Sequence, residues 1–484
     1  MTTIKLTRPD YHKANPVIAS LLRDEYTVSD ISKFITLLGN HGTLWLRRYR
    51  NGGSSAVSVI DLYESLEAAG GDNLIFGWVR DMAAQAFGEV EAAQDAELMK
   101  ACRLQGADQW RRGLWFMLKF YEMNQGEFVK FLDGRVDGSW TRSSQFPPIR
   151  FNAIELGRWV GGEWNHKQND AHGFLNCLLF SQLNRKRIFM SDPQIAEVAG
   201  PYATLLHHLF QYTNVWTDED IGAWEKENAV RHSSIMCVAV SLAEQLDYIR
   251  ANGPLSFHTF GRDFQVFEHM VESMLNKCME TLHALGTNES VHQTDSNGHK
   301  TSYHNPCDLA QLNGLLLQAL CDRQLLSDDE VNAIIRNIEE NLMGLYGVAR
   351  YTGDVWDGRK DRYDFVRDRD EMEWCHGSPT IAAIIGKRYL RTNDPADLEW
   401  ATYHFNRWLG CITPERPATD EDAGSVGWFV PEGYRIDSAT RQWTPDENIM
   451  LAWGQAMGVI ALGVMKACWA RKAELDATEA SKAA

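Results

Sequence analysis

The stretch GAWEKENAVRHSSIMCVAVSLAEQL, residues 222–246, joins two unlike segments. First comes a polar loop that sets a carboxyl, Glu225, against an indole, Trp224. A run of small and apolar residues follows and reads as a buried helix. A glutamate at a helix entrance is ordinarily an N-terminal-turn residue favoured by the helix dipole. Beside an apolar wall it has a second reading, because desolvation keeps a carboxyl protonated and able to donate. Which reading holds depends on what surrounds the stretch.

Outward from it, helical periodicity dominates. Apolar residues at i, i+3, i+4 spacing predict helices near 16–24, 29–40, 78–98, 108–121, 170–185, 193–211, 229–249, 262–285, 307–321, 327–345, 379–391, 394–410 and 447–472. Ser327 with Glu330 has the spacing of a capping box, and Asp446 after Pro445 is placed to open the last helix. Strand-like stretches are few: 55–63, and residues 428–437. Polar, Gly- and Trp-rich loops separate the helices, with no linker long enough to divide domains. The expectation is one large all-α toroid with its loops gathered at one end around a pocket. Two stacked helical domains would need a boundary that the sequence lacks.

With 484 residues, 44% hydrophobic and 23% charged, core formation is assured. A formal net charge of −17 argues against a nucleic-acid or anionic-membrane surface, which needs a basic footprint. Nine scattered cysteines without a C-x-x-C pair fit reduced thiols in a cytoplasm. The first residues lack the apolar core of a signal peptide, so a cytoplasmic location is expected. The 17 tryptophans are many, and several adjoin Asp, Glu or Arg. Indole faces beside hydrogen-bonding groups suit sugar rings, although most tryptophans are core residues.

Chemistry concentrates in the loops. GWVRDM, 77–82, puts Trp78, Arg80 and Asp81 at a helix start, where an Arg-Asp pair is ordinarily a salt bridge. In GGEWNHKQNDAHGFL, 161–175, Trp164, His166, Gln168 and Asp170 alternate, so an extended backbone would project them to one side; the plainer reading is a helix cap at Asp170. In VGWFVPEGYRID, 426–437, Glu432 follows Pro431 between Phe429 and Tyr434. Arg350 and Asp354 lie in GVARYTGD, Glu373 and Trp374 in EMEWCHGSP, and Trp453 and Gln455 in LAWGQAMG. Two distant glutamates flanked by aromatics suit glycoside hydrolysis, which uses one protonated carboxyl and one carboxylate. Neither G-x-S-x-G nor G-x-x-x-x-G-K-[ST] occurs. His292, His299 and His304 with Asp295 and Cys307 match no familiar metal spacing, so no metal and no cofactor are expected.

In order, these clusters resemble glycoside hydrolase family 15, the glucoamylase-like enzymes, and most closely the branch that includes the α and β subunits of phosphorylase kinase. WVRD resembles the family's W-x-R-D, which binds the terminal glucose. EWNHKQNDA resembles its W-G-H-x-Q-x-D motif, with Asn165 in place of Gly. GAWEKEN is similar to the segment that carries the general acid, which falls on Glu225. GVARYTGD, EMEWCHGSP and AWGQA resemble further substrate-binding segments, and VPEGY resembles the one with the general base, which falls on Glu432. The resemblance implies an (α/α)6 barrel. It also implies an inverting, exo-acting α-glucosidase that releases β-glucose from the non-reducing ends of α-glucans or (iso)malto-oligosaccharides. A non-catalytic, glucan-sensing regulatory domain is the alternative in the kinase-subunit branch. Lys226 and Leu74 depart from the glucoamylase pattern at positions that bear on the next sugar and on linkage. Residues 1–75 are expected as a lead-in packed on the barrel, 76–470 as the catalytic domain and 471–484 as a flexible tail.

Overall fold

The structure is a computed structural model that describes residues 9–54, 76–133, 146–156, 166–225, 228–291, 304–352, 354, 371–415, 427–437, 440–446 and 451–483. The strand expected at 55–63 and the residues Trp164, Asn165 and Lys226 lie outside this set.

Twelve of its helices alternate between an inner and an outer ring. They are α1 Val28–Asn40, α2 Val79–Ala92, α3 Gln109–Met123, α4 Asn169–Asn184, α5 Pro193–Thr213, α6 His232–Asn252, α7 Glu268–Leu285, α8 Gln311–Leu320, α9 Asp328–Asn341, α10 Gly377–Thr392, α11 Pro395–Gly410 and α12 Ala452–Ala483. The even-numbered helices form a closed ring: α2 packs on α4, α4 on α6, α6 on α8, α8 on α10, α10 on α12, and α12 returns to α2. The chain therefore folds as an all-α (α/α)6 toroid, as expected.

Sequence pattern explains the sorting. Outer helix α9 buries only Val331, Ile334, Ile335 and Ile338, a single stripe at helical spacing. Its capping box forms as predicted, with Ser327 and Glu330 each bonding the other's backbone N–H. Inner helix α4 is buried from Asn169 through Leu183, because it has neighbours on every side. Such packing needs small residues: a Cβ on Gly173 would lie 2.7 Å from the Cys237 backbone of α6.

Several local expectations are corrected. Residues 262–266 are not helical; Leu255–Thr259 and Arg262–Val266 pair as an antiparallel hairpin. Its two turn residues, Phe260 and Gly261, both have positive φ (49° and 70°), as a two-residue hairpin turn requires. The helix expected over 78–98 stops at Ala92, and Asp95 caps a new one, Ala96–Ala101. Asp446 does not open the last helix. Its N–H bonds the Gly433 carbonyl at the end of a four-stranded antiparallel sheet, Val348–Ala349, Glu373–Trp374, Gly433–Ile436 and Trp443–Pro445. The last helix continues to Ala483, so the segment expected as a tail is helical. Residues 28–40 supply the outer helix against α12, which makes this part of the lead-in a wall of the ring. Among the described residues no helix is long and apolar enough to cross a membrane.

Candidate active site

The N-terminal ends of the inner helices meet at one end of the toroid, and buried carboxylates satisfy their free N–H groups. Asp220 accepts from Asn169 N at the start of α4 (2.8 Å), Glu289 from Ser233 N in α6 (3.0 Å), and Asp308 from Ala310 N just before α8 (2.7 Å). Unsatisfied helix donors and the positive dipole end account for acidic groups at these positions.

On this base sits an aromatic cluster. Trp224 lies 5.4 Å from Trp374 and 6.0 Å from Trp453, ring centre to centre, and donates its indole N–H to Asp308 (2.6 Å). His376 stacks on Trp453 at 4.6 Å. Its burial, with Arg80 and Arg350 nearby, lowers it to about 3, so it is neutral at ordinary pH. Arg350 lies over Trp224 and Trp374 at 5.4 and 5.0 Å and forks onto Asp354 (2.6 and 2.7 Å). The loop 222–225, residues 350–352 with Asp354, the segment 374–376 and the start of α12 are thus brought together.

Arg80 acts as a strut. It donates to Asp170 (3.1 Å), Gln168 (2.6 Å) and the Ala223 carbonyl (2.8 Å), joining α2, α4 and the turn that carries Glu225. Asp170 is this ion partner and not the cap of α4, a position taken by Gln168. Asp81, next in the chain, is raised to about 6, first by burial and further by the charges of Glu225 and Asp170. Glu225 is thus close enough for its charge to bear on Asp81. Glu225 also acts on Arg150, whose guanidinium lies 5.6 Å from the centre of the Trp78 ring. His166 is buried and held neutral, lowered to about 4 by burial and by Arg150.

Glu225 is exposed and has a left-handed backbone, φ 59°. For a non-glycine residue that conformation costs about 1–2 kcal/mol, a strain that functional sites hold in place. Trp224, next to Glu225 in the chain, is held by its indole N–H on Asp308. The Glu432 main chain passes beside the cluster: its backbone carbonyl accepts from Cys375 N (3.0 Å), next to Trp374.

Two expected sugar contacts are otherwise engaged. Glu373 faces away from the strand side of Trp374 and accepts the N–H groups of Tyr346 and Gly347 (2.9 Å to the latter). Gly344 is required there, because a Cβ would meet the Glu373 carboxylate at 1.9 Å. Gln455 donates to the Thr43 carbonyl (3.3 Å), joining α12 to the chain after α1. The sequence reading missed Arg150, Asp220, Glu289, Asp308 and His376. Only His376, adjacent to the EMEW run, carried a local signal.

A six-hairpin toroid with an aromatic, carboxylate-rich centre at its loop end is the class that this arrangement defines. Among solved structures the chain is similar to a glycosidase in complex with glucose (TM-score 0.58, 13% identity, covering 90% of this chain and 98% of that one). It is also similar to the glucoamylase from Saccharomycopsis fibuligera (TM-score 0.55, 12% identity, 94% and 97%) and to Hormoconis resinae glucoamylase (TM-score 0.53, 14% identity, 90% and 73%). No protein-family model matches the chain, and no curated protein does. At 12–14% identity the likeness is one of fold.

Proposed function

We propose that this chain is an inverting, exo-acting α-glucosidase of glucoamylase type, its catalytic unit residues 76–470 closed by the helix before it. What supports the reading is the cluster of Trp224, Trp374 and Trp453, with Glu225 next to Trp224 in the chain and the Glu432 main chain bonded beside Trp374. Indole faces stack on the C–H faces of a pyranose, while Asp81 and the Arg350–Asp354 pair meet its hydroxyls.

In the reaction, Glu225 gives its proton to the glycosidic oxygen as the bond to the anomeric carbon breaks. Glu432 takes a proton from a water attacking the opposite face, which inverts the anomer to β-glucose. That mechanism needs the two carboxyls about 6.5–9.5 Å apart. Seating a sugar on Trp224 would desolvate Glu225, which is exposed without it, and so favour its protonated form. The ends of α-glucans or (iso)malto-oligosaccharides are the substrates proposed, by analogy with the glucoamylases of the same fold.

The test is Glu225→Gln and Glu432→Gln, with the released anomer followed by NMR on a panel of α-linked disaccharides. Each variant should lose about two to four orders of magnitude in hydrolysis while retaining oligosaccharide binding. Wild-type protein that binds α-glucans but releases no glucose would instead make it the sensor of the phosphorylase-kinase kind.

A further inference from the structure

On the outside of the ring, where the chain leaves α1 and where it enters α3, a cavity of about 180 Å³ is lined by Trp45, Arg47, Arg48, Arg103, Gln105 and Arg112, among others. Among the described residues no carboxylate lines it, in a chain of net charge −17. Each fixed part has a visible cause. Trp45 is pinned by its indole N–H to the Gly39 carbonyl (3.1 Å), and Arg103 lies over its ring at 3.4 Å. The side chain of Arg48 is buried and neutralised by Glu89 behind the wall (2.8 Å).

Arg112 differs. Its partners are neutral oxygens: Gln105 Oε1 (2.7 Å) and the carbonyls of Tyr49 (3.3 Å) and Arg50 (3.0 Å). These orient the guanidinium and leave its charge uncompensated. Among the described residues no carboxylate lies within ion-pair distance of Arg103 or Arg112 either. Arg103 is held in position at φ 53°, a backbone conformation that arginine rarely adopts.

We infer that this cavity is a binding site for a phosphate dianion, free or as the phosphomonoester of a small sugar. Two guanidiniums without carboxylate partners match two negative charges, and their planar forks match phosphate oxygens. The cavity is smaller than the roughly 300–1,000 Å³ that drug-sized ligands take, so the anion itself is the recognised part. The site lies outside the aromatic pocket and does not depend on the chain being a hydrolase.

Isothermal titration calorimetry tests it with inorganic phosphate, a hexose 1-phosphate, and acetate as a carboxylate control, at matched ionic strength. Wild-type protein should bind phosphate with a Kd on the order of 1 mM or tighter, and acetate at least about tenfold more weakly. Arg103→Gln, at an exposed position, should fold normally, weaken phosphate binding about tenfold or more, and leave basal glucoside hydrolysis unchanged. Arg112→Gln should weaken it similarly. Tighter binding of the hexose phosphate would assign the sugar ester, and equal binding the free anion; both support the site. Phosphate binding no stronger than acetate binding, or unchanged in Arg103→Gln, would overturn it.

Discussion

Burial takes Asp81 to about 6 against an ordinary 3.8, which makes folding depend on pH at this one side chain. Below pH 3.8 the carboxyl is protonated in both states. Between 3.8 and about 6 the unfolded chain loses the proton while the folded one keeps it, so the Asp81 contribution falls as pH rises through that window. Above it the cost is constant. Asp81→Asn removes the titration, so the Tm difference, variant minus wild type, should grow from pH 4 to pH 6 and level off by pH 7. Calorimetric scans across that range check it, and a pH-independent difference would remove Asp81 from the buried pocket. The same substitution should depress sugar turnover, because an amide cannot accept from hydroxyls as a carboxylate does.

Among the elements, α9 is the plainest case of local instruction. Ser327 and Glu330 close its first turn reciprocally, with Ser327 N to Glu330 Oε2 at 2.8 Å. Ser327→Ala should cost about 1 kcal/mol, seen as a lower urea midpoint with an unchanged m-value. No change in midpoint would mean that packing of the Val331–Ile338 stripe alone holds the helix. Such signals are legible because the groups involved lie within one turn of each other. The hairpin Leu255–Thr259/Arg262–Val266 was also written locally, in alternation around a Phe-Gly turn, but the apolar spacing continuing into α7 masked it.

At the scale of the molecule, the ring closes only if the segment before Trp78 contributes. α1 buries Ile31, Phe34, Ile35 and Leu38 and packs against α12. At about 1.5–3 kcal/mol per buried large side chain, these four are worth about 6–12 kcal/mol, comparable to the whole stability of a typical domain. A chain beginning at residue 45 should therefore show no cooperative thermal transition by circular dichroism. A transition at the wild-type Tm would show that the remaining helices form the ring unaided.

Helix positions, the outer stripes, the capping box and the loop clusters around Trp78, Trp224 and Trp374 could be read directly, because periodicity and caps act between residues a few positions apart. The toroid was expected from the number of helices and from motif resemblance, and its closure is a long-range fact. Long-range packing alone decided the roles of individual polar groups. Asp308 takes the Trp224 indole N–H from 84 positions away, and Asp220 accepts the first N–H of α4 from 51 positions away. Arg150 faces Trp78 only through strand pairing, and Glu373 serves the 344–347 turn because Trp374 has the other face of its strand. A buried polar group must find a partner wherever folding brings one, and linear order does not specify that partner.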